Sequence, residues 1–310
     1  MTRILDGQKV SAQIRDEIAR DVERIVAAGG RRPGLAAVLV GDDPASRVYV
    51  GSKTKACAKA GMESWTHRLP ADVSAEELGR TLESLNADDA VDGILLQLPL
   101  PKGMPERELL GSIAPEKDVD GFHPVSIGKL WAGEETFVSA TPAGILELLK
   151  RSEIEMSGRH AVVVGRSLIV GKPMAALLLA ENCTVTICHS RTRDLPSVCR
   201  QADILVAAVG RKAFIGTPHV KEGAVVIDVG INRITDREEL DRLFPDDADR
   251  LATFEKRGSV LTGDVDYTAV APRTSAITPV PGGVGPLTVT MVISNTLTAS
   301  LRRQGLRLEA

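Results

Sequence analysis

Apolar residues along this chain follow two patterns, one with the period of a helix and one typical of a buried strand. The helical pattern opens the chain and predicts a helix over residues 8–28, with apolar positions three or four residues apart at Val10, Ile14, Ile18, Val22 and Ile25. Short continuous apolar runs predict strands covered on both faces, at residues 34–41, 91–98, 160–165, 184–188, 204–208 and 225–229. Further helical segments begin near Asp43, Ser74, Thr141 and Gly285. This alternation of strands and helices predicts parallel sheets.

The length of 310 residues corresponds to about two domains at roughly 150 residues each. A stretch rich in Gly, Pro and Asp, residues 117–141, is the predicted boundary. We therefore predict an α/β fold with two domains around a cleft: a parallel α/β domain over residues 1–140, completed by residues 286–310, and a Rossmann-like domain over residues 141–285. The last helix would cross back to the first domain. The charge-rich residues 236–257 are interpreted as a helical surface excursion.

Composition and charge exclude several classes of partner. The 38 basic and 41 acidic residues leave a net charge of −3, which provides no field for holding a nucleic acid. No apolar run approaches the roughly 18 residues of a membrane span, and the N-terminus lacks a signal-like apolar segment. The four cysteines have neither zinc-knuckle nor CxxC spacing, so they are interpreted as thiols of a reducing compartment. We expect a cytoplasmic protein without nucleic-acid, membrane or metal partners.

A glycine-rich turn joins a predicted strand to a helix at Gly165 and Gly171. Such a turn lets backbone amides approach a phosphate, and the start of the helix adds partial positive charge. The glycine spacing differs from G-x-G-x-x-G, so a tight turn that merely closes a strand–helix unit is the competing interpretation.

The next predicted strand refines the nucleotide hypothesis. NAD sites usually carry an acid about 20 residues beyond the glycines, but here the strand is followed by His189, Ser190 and Arg191. Hydroxyl and cationic groups favour a ribose phosphate, which Arg166 can bind through two hydrogen bonds. NADP is therefore preferred to NAD, with a solvated basic loop as the alternative interpretation.

Candidate catalytic groups lie in the N-terminal half. Tyr49 and Lys53 stand one helical turn apart, and partial burial would lower the pKa of the lysine to a useful range. Gln97 falls at the carboxyl end of a predicted buried strand, where ligands of open α/β sheets bind. Asp118 and Asp120 place two carboxylates in the predicted boundary. The alternatives are a surface Tyr–Lys pair, a capping amide and an Asx turn, respectively.

A dense cluster of prolines and glycines occupies residues 278–288. Three glycines between prolines, including Gly282 and Gly283 after Pro281, form a backbone surface that a flat molecule can approach closely.

These segments together, in this order, closely resemble the bifunctional methylenetetrahydrofolate dehydrogenase/methenyltetrahydrofolate cyclohydrolase family. The resemblance extends from near the start of the chain to its last helix. Its matching stretches are residues 49–53, 92–101, 117–121, 165–173, 226–232, 263–266 and 279–288.

The resemblance implies an enzyme that oxidises methylenetetrahydrofolate to the methenyl compound with NADP and then hydrolyses it to the formyl compound. By similarity Lys53 is the central catalytic residue, Tyr49 and Gln97 orient it and the substrate, and Asp120 binds the pterin ring. The same similarity assigns the folate site to Tyr49, Pro281, Gly282 and Gly283, and the NADP site to Gly165, Arg166, Ser167, Ser190 and Ile231. It also implies a homodimer acting on one-carbon derivatives of tetrahydrofolate.

The chain departs from the family pattern at three places. Ala140 stands where many relatives have cysteine, Leu168 replaces a polar residue of the glycine turn, and the segment between Asn232 and Gly263 is longer than expected. We expect that extra length to lie away from the cleft. The alternatives to the bifunctional enzyme are a member with dehydrogenase activity alone, another dehydrogenase on the same two-domain plan, and a catalytically silent folate- or nucleotide-binding protein.

Overall fold

The structure, a computed structural model, describes residues 2–307 apart from the side chain of Ala45. Its strands are β1 (Arg3–Ile4), β2 (Gly34–Val40), β3 (Glu63–Leu69), β4 (Gly93–Leu96), β5 (His160–Val164), β6 (Thr184–Cys188), β7 (Ile204–Ala207), β8 (Val225–Asp228), β9 (Asn232–Ile234), β10 (Val260–Thr262) and β11 (Ala276–Ile277). Its helices are α1 (Gly7–Ala27), α2 (Pro44–Lys59), α3 (Ala75–Ala87), α4 (Glu106–Gly111), α5 (Pro124–Ala132), α6 (Ala140–Arg151), α7 (Gly171–Ala180), α8 (Leu195–Cys199), α9 (Arg237–Leu243), α10 (Ala248–Arg257), α11 (Tyr267–Val270) and α12 (Val284–Gln304).

The chain divides into two compact units. The first unit contains Ser11–Ala140 and the chain from Thr288 onwards, and the second contains Thr141–Leu287 and the chain up to Val10. The sequence analysis assigned the first ten residues to the N-terminal domain, whereas the structure places them in the second unit. The reason is a strand pairing, because Arg3 and Ile4 of β1 lie in parallel register with β11.

The first unit is built on a three-stranded parallel sheet in the order β3-β2-β4. Strands β2 and β4 are buried along their whole length, as the continuous apolar runs predict. β3 lies at one edge of the sheet and has no buried residue, so it lacks the apolar run that identifies the other two. The core beside this sheet includes Leu78 and Leu82 of α3, whose N-cap Ser74 accepts a hydrogen bond from the amide of Glu77 as predicted.

The second unit contains a six-stranded parallel sheet in the order β1-β11-β8-β7-β5-β6. Its four longer strands, β5 to β8, lie at the predicted positions, with β5 between β6 and β7. This is the predicted Rossmann-like arrangement of parallel strands joined by helices. Strand order therefore brings the turns that follow β5, β6 and β7 to one edge of the sheet.

An excursion over residues 233–262 leaves the six-stranded sheet of the second unit after β8. It consists of the antiparallel pair β9–β10 and, between these strands, the helices α9 and α10. A small core of its own holds it together, formed by Ile234, Leu240, Leu243, Phe244 and Val260. The helical pattern at 236–257 is thus correct in kind, but Pro245 and its neighbours separate two helices.

Two other regions differ from the sequence prediction. The stretch over residues 117–141 contains helix α5 in addition to turns, and α6 begins at Ala140, one residue before the predicted N-cap Thr141. Within residues 2–307, α12 alone is long and apolar enough to cross a membrane, although 56% of its most apolar window is buried. A core helix of a soluble protein meets the same criteria.

Candidate active site

Lys53 is a buried amine on α2 of the first unit. Helix α2 begins at Pro44, and the Asp43 carboxylate accepts a hydrogen bond from the amide of Ser46 at its N-terminus. Three turns into the helix the Lys53 side chain is only 6% exposed. Its Nζ donates a hydrogen bond to Oε1 of Gln97 at 3.2 Å. The structure thus brings together two of the side chains that the sequence singled out.

Gln97 is held in one orientation by its neighbours. It follows β4 directly, and its backbone amide continues the sheet by donating to the carbonyl of Val38 at 2.9 Å. Its Nε2 donates to the carbonyl of Leu98 at 2.7 Å. Because the amide nitrogen is used in this way, the amide oxygen faces Lys53.

Two opposing effects set the charge state of Lys53. Burial lowers the pKa of its amine, and the carboxylate of Asp120 raises it part of the way back. Burial likewise raises the pKa of Asp120, which the ammonium of Lys53 opposes. Desolvation is the larger effect on both groups, so each is shifted toward its neutral form. An amine with a lowered pKa can accept and return a proton near neutral pH.

Tyr49 lies one helical turn before Lys53 and is half-buried. Burial raises the pKa of its phenol above the ordinary value. The phenol is therefore a neutral hydrogen-bonding group at physiological pH.

The turn that carries Asp120 is anchored by Lys117 and Asp118, a role that the sequence analysis did not assign. The ammonium of Lys117 is fully buried and donates to the carbonyls of Leu85, Asn86 and Asp88 at the end of α3, at 2.7–3.0 Å. These bonds cap the last turn of that helix.

The adjacent Asp118 is equally fixed. Its carboxylate accepts hydrogen bonds from the amides of Phe122 and His123 and from Oγ of Ser126. Burial raises the pKa of Asp118 to about 6, although these three donors oppose the shift. The two aspartates thus differ: Asp118 organises the turn, whereas Asp120 interacts electrostatically with Lys53.

A second group of predicted residues surrounds a cavity of about 260 Å³ in the second unit. Gly165 follows β5 with a φ of +143°, and a Cβ there would lie 2.4 Å from the carbonyl oxygen of Ala208. At Gly171 a Cβ would lie 2.2 Å from the carbonyl oxygen of Gly165. Both glycines are therefore required by this tight turn.

The cavity brings Gly165, Arg166 and Ser190 together. Its remaining lining residues are Val164, His189, Leu195, Ala208, Val209, Arg211 and Phe214. The lining residues include two arginines and a hydroxyl but no carboxylate. Such a donor set, next to the start of α7, fits a nucleotide with a phosphate on its ribose.

Two further residues assigned by resemblance to the NADP site do not line this cavity. Oγ of Ser167 accepts hydrogen bonds from the amides of Val170 and Gly171 at 3.1 and 3.3 Å. It thereby satisfies donors at the start of α7. Ile231 lies in the turn after β8 and is 50% exposed.

Asp264 is a buried residue beside this cavity that the sequence analysis did not single out. It is 0% exposed, and its Oδ2 accepts from the amides of Val209 and Gly210 at 2.6 and 2.8 Å. Its Oδ1 accepts from the amide of Arg211 at 2.9 Å and from Nδ2 of Asn232 at 2.9 Å. One carboxylate thus fixes the loop that forms one wall of the cavity. The motif at residues 263–266 was the available signal, but motif membership alone did not reveal this role.

Asp228 supports Asp264 from β8. Its carboxylate accepts hydrogen bonds from the amides of Gly230, Asp264 and Val265. Burial raises the pKa of Asp228 to about 7 against the effect of these donors. A Cβ at Gly263 would lie 1.7 Å from this carboxylate, so only glycine fits beside it.

The proline- and glycine-rich loop over residues 279–283 also belongs to the second unit. It contains a cis peptide bond between Val280 and Pro281. The amide of Gly283 donates to the carbonyl of Pro279 at 2.9 Å, and the amide of Gln8 donates to the carbonyl of Gly282 at 3.1 Å. Pro281 is exposed and Gly283 is buried, so the loop presents one proline ring on a closely packed backbone.

Comparison with known proteins places this geometry in a family. The family described as tetrahydrofolate dehydrogenase/cyclohydrolase matches through its catalytic domain at residues 5–120 and through its NAD(P)-binding domain at residues 139–304. The bifunctional protein FolD of Koribacter versatilis is 53% identical over 305 residues, which cover 98% of this chain and 99% of that protein.

Solved structures agree with the sequence matches. The bifunctional enzyme FolD of Campylobacter jejuni has a TM-score of 0.89 and 41% identity, covering 98% of this chain and 100% of that one. The dehydrogenase-cyclohydrolase of Trypanosoma brucei, solved with NADP and an inhibitor, has a TM-score of 0.87 and 37% identity, covering 97% and 98%. The chain therefore belongs to the tetrahydrofolate dehydrogenase/cyclohydrolase family.

Proposed function

We propose that this chain oxidises 5,10-methylenetetrahydrofolate to the 5,10-methenyl compound with NADP and then hydrolyses that product to 10-formyltetrahydrofolate. The observation that carries the proposal is the buried Lys53 amine, bonded to Gln97 and facing the charge of Asp120. Full-length identity of about half to bifunctional relatives supports both activities.

The oxidation depends mainly on binding and orientation by this chain. NADP, when bound, supplies the acceptor for the hydride that leaves the substrate. Removal of hydride gives a resonance-stabilised cation without any proton transfer, so close placement is the main requirement. Arg166 and Ser190 provide a cation and a hydroxyl for the ribose phosphate, and Gly165 lets the backbone approach the nucleotide.

The hydrolysis requires proton transfer, and Lys53 is the group suited to it. As the oxygen of water bonds to the methenyl carbon, the neutral amine of Lys53 accepts the proton that this water loses. When the bond from that carbon to N5 breaks, the ammonium returns a proton to the departing nitrogen. The second proton of the water leaves the hydroxyl group as the formyl carbonyl forms. One proton is therefore released overall, since a cation and water become the neutral formyl amide. Gln97 holds the amine through its amide oxygen.

The remaining assignments concern the folate ring. By the family resemblance, Asp120 accepts hydrogen bonds from the pterin, Tyr49 contributes to folate binding, and the loop of Pro281, Gly282 and Gly283 is assigned to folate binding as well. We assign the chain to the cytoplasm and expect it to act as a homodimer, following the resemblance to its family. Sedimentation of the purified protein at several concentrations tests the oligomeric state.

A product assay tests the proposed function. Purified protein is mixed with methylenetetrahydrofolate and NADP, and NADPH, methenyl and formyl compounds are followed together. We expect rapid NADPH formation with enzyme-dependent formyl product and little free methenyl compound. Accumulation of the methenyl compound would indicate that the protein has dehydrogenase activity without cyclohydrolase activity. Saturable binding without NADPH or NADH formation would indicate a silent binding protein.

A further inference from the structure

The excursion over residues 233–262 contacts the proline- and glycine-rich loop of residues 279–283, which we assign to folate binding. The contact is made by Arg250 on α10. Its Nη2 donates to the carbonyl of Val280 at 2.6 Å, and its Nη1 donates to the carbonyl of Leu261 at 2.6 Å. One guanidinium therefore links the excursion to the residue that immediately precedes Pro281.

The arginine itself is held firmly. Its Nε donates to Oδ2 of Asp247 at 3.0 Å, and its guanidinium carbon lies 3.8 Å from the centre of the Phe244 ring. The side chain is 18% exposed. A planar guanidinium presents several donors in fixed directions, so it can bind these acceptors and stack on the ring at once.

The loop needs such an external support because of its composition. The nitrogen of Pro281 carries no hydrogen and cannot donate to the surrounding backbone. Two backbone hydrogen bonds fix the loop, from the amide of Gly283 to the carbonyl of Pro279 and from the amide of Gln8 to the carbonyl of Gly282, and neither acts on Val280 or Pro281. Arg250 adds a restraint at Val280, whose carbonyl accepts a hydrogen bond from its guanidinium.

The excursion provides a stable base for this contact. Phe244, which stacks on Arg250, is a member of the excursion's own apolar core. A second link joins Glu239 of α9 to Lys212 at 2.5 Å, next to Arg211 of the nucleotide cavity. The guanidinium is thus presented from a packed element and not from a free chain segment.

We propose that Arg250 is a positioning residue for the folate loop and that the excursion holds Pro281, Gly282 and Gly283 in the conformation that binds the substrate. This inference rests on the proposed function, since it assumes that the loop lines the folate site. Without the restraint, the free loop samples other conformations, and substrate binding must order it.

The test compares steady-state constants of Arg250→Met and Arg250→Lys with those of the unaltered protein. For Arg250→Met we expect KM for methylenetetrahydrofolate to rise about tenfold, as for loss of a hydrogen bond from a charged donor. KM for NADP should change less than about twofold. Arg250→Lys keeps the positive charge but lacks the planar guanidinium with its several donors. Its KM for methylenetetrahydrofolate should therefore lie between that of the unaltered protein and that of Arg250→Met. If Arg250→Met folds poorly, the KM of Arg250→Lys for methylenetetrahydrofolate tests the same prediction.

Two further variants make the outcome decisive. Arg237→Met removes an exposed arginine of the same excursion, whose partners Asp241 and Glu255 both lie within it, and should leave both KM values unchanged. Gly282→Ala strains the loop directly, because Gly282 has a φ of +106°, and should raise the folate KM. If Gly282→Ala has no effect, the assignment of the folate loop fails. If it raises the folate KM while both Arg250 variants lower only the melting temperature, or raise both KM values equally, the positioning role is wrong.

Discussion

The pair of Lys53 and Asp120 and the cavity that fits a nucleotide use charge in opposite ways. In the first unit Lys53 and Asp120 are withdrawn from water. Burial lowers the pKa of Lys53 and raises the pKa of Asp120, which favours the neutral form of each group. In the second unit the arginines of the cavity, Arg166 and Arg211, are exposed. A group that transfers protons must change its charge near neutral pH, whereas a group that recognises phosphate must keep it.

The buried carboxylates follow the same division. Asp120 interacts electrostatically with another ionisable side chain, Lys53. The hydrogen bonds that shape the turn are made by the neighbouring Asp118. Asp264 instead spends its oxygens on three backbone amides and one side-chain amide, which fix the wall of the cavity. In the proposed function, proton transfer in the first unit depends on burial of the ionisable groups, and nucleotide recognition in the second unit depends on placement of the backbone. The variants below separate these two dependences.

Lys53→Met should have the largest effect. Loss of the proton-transferring amine is expected to lower the cyclohydrolase kcat about 1,000-fold, within the usual range for a general acid or base. KM for NADP should stay unchanged, since the nucleotide residues are not altered. Formation of formyl product from methenyltetrahydrofolate measures the effect, and the exposed Lys55→Met on the same helix is the control. Unimpaired hydrolysis would contradict the role of Lys53.

Asp264→Asn should weaken NADP binding by about one order of magnitude or somewhat more. An amide group replaces one acceptor oxygen with a donor. The loop amide of Arg211 loses its partner if the nitrogen takes the Oδ1 position, and those of Val209 and Gly210 lose theirs if it takes the Oδ2 position. KM for NADP should rise about 10- to 50-fold, while cyclohydrolase activity measured without nucleotide changes little. Asp241→Asn in the exposed part of the excursion serves as the control. Equal loss of both activities would indicate general unfolding instead.

Arg166→Gln should lower the preference for NADP over NAD by about tenfold. The neutral amide loses the charge-assisted bond to the ribose phosphate, which NAD lacks, so activity with NAD should be nearly unchanged. The ratio of kcat/KM for the two nucleotides is the measurement. Arg193→Gln, an exposed arginine that does not line the cavity, should leave this ratio as it is. A constant ratio in Arg166→Gln would remove this residue from the phosphate site.

Asp120→Asn should have the smallest effect on the cyclohydrolase kcat, a displacement of its profile along the pH axis. The Asp120 carboxylate raises the pKa of Lys53, so its removal lowers that pKa further and leaves the amine neutral at lower pH. The acidic limb of the cyclohydrolase kcat profile should therefore move down by about one pH unit. Asp72→Asn, an exposed acid in the same unit, should not move it. A shift to higher pH would contradict the electrostatic coupling.

Much of the fold was predictable because helices and buried strands leave periodic traces in the sequence. Strands β2, β4 and β5 to β8 lie where continuous apolar runs occur. β3 was not recognised because none of its residues is buried, and β1 and β11 have only two residues each. Strands this short carry no pattern, and only pairing with their neighbours defines them.

The sequence by itself determined the two α/β sheets, the family, the glycine turn at Gly165 and the helical spacing of Tyr49 and Lys53. Each of these depends on residues near one another in the chain or on a continuous motif. The tertiary structure alone decided that Asp264 holds the loop 55 residues away at Val209, and that Arg250 supports Val280. Such bonds join a side chain to a distant backbone group, and every residue except proline offers the same backbone donor and acceptor. They therefore leave no trace in the order of amino acids.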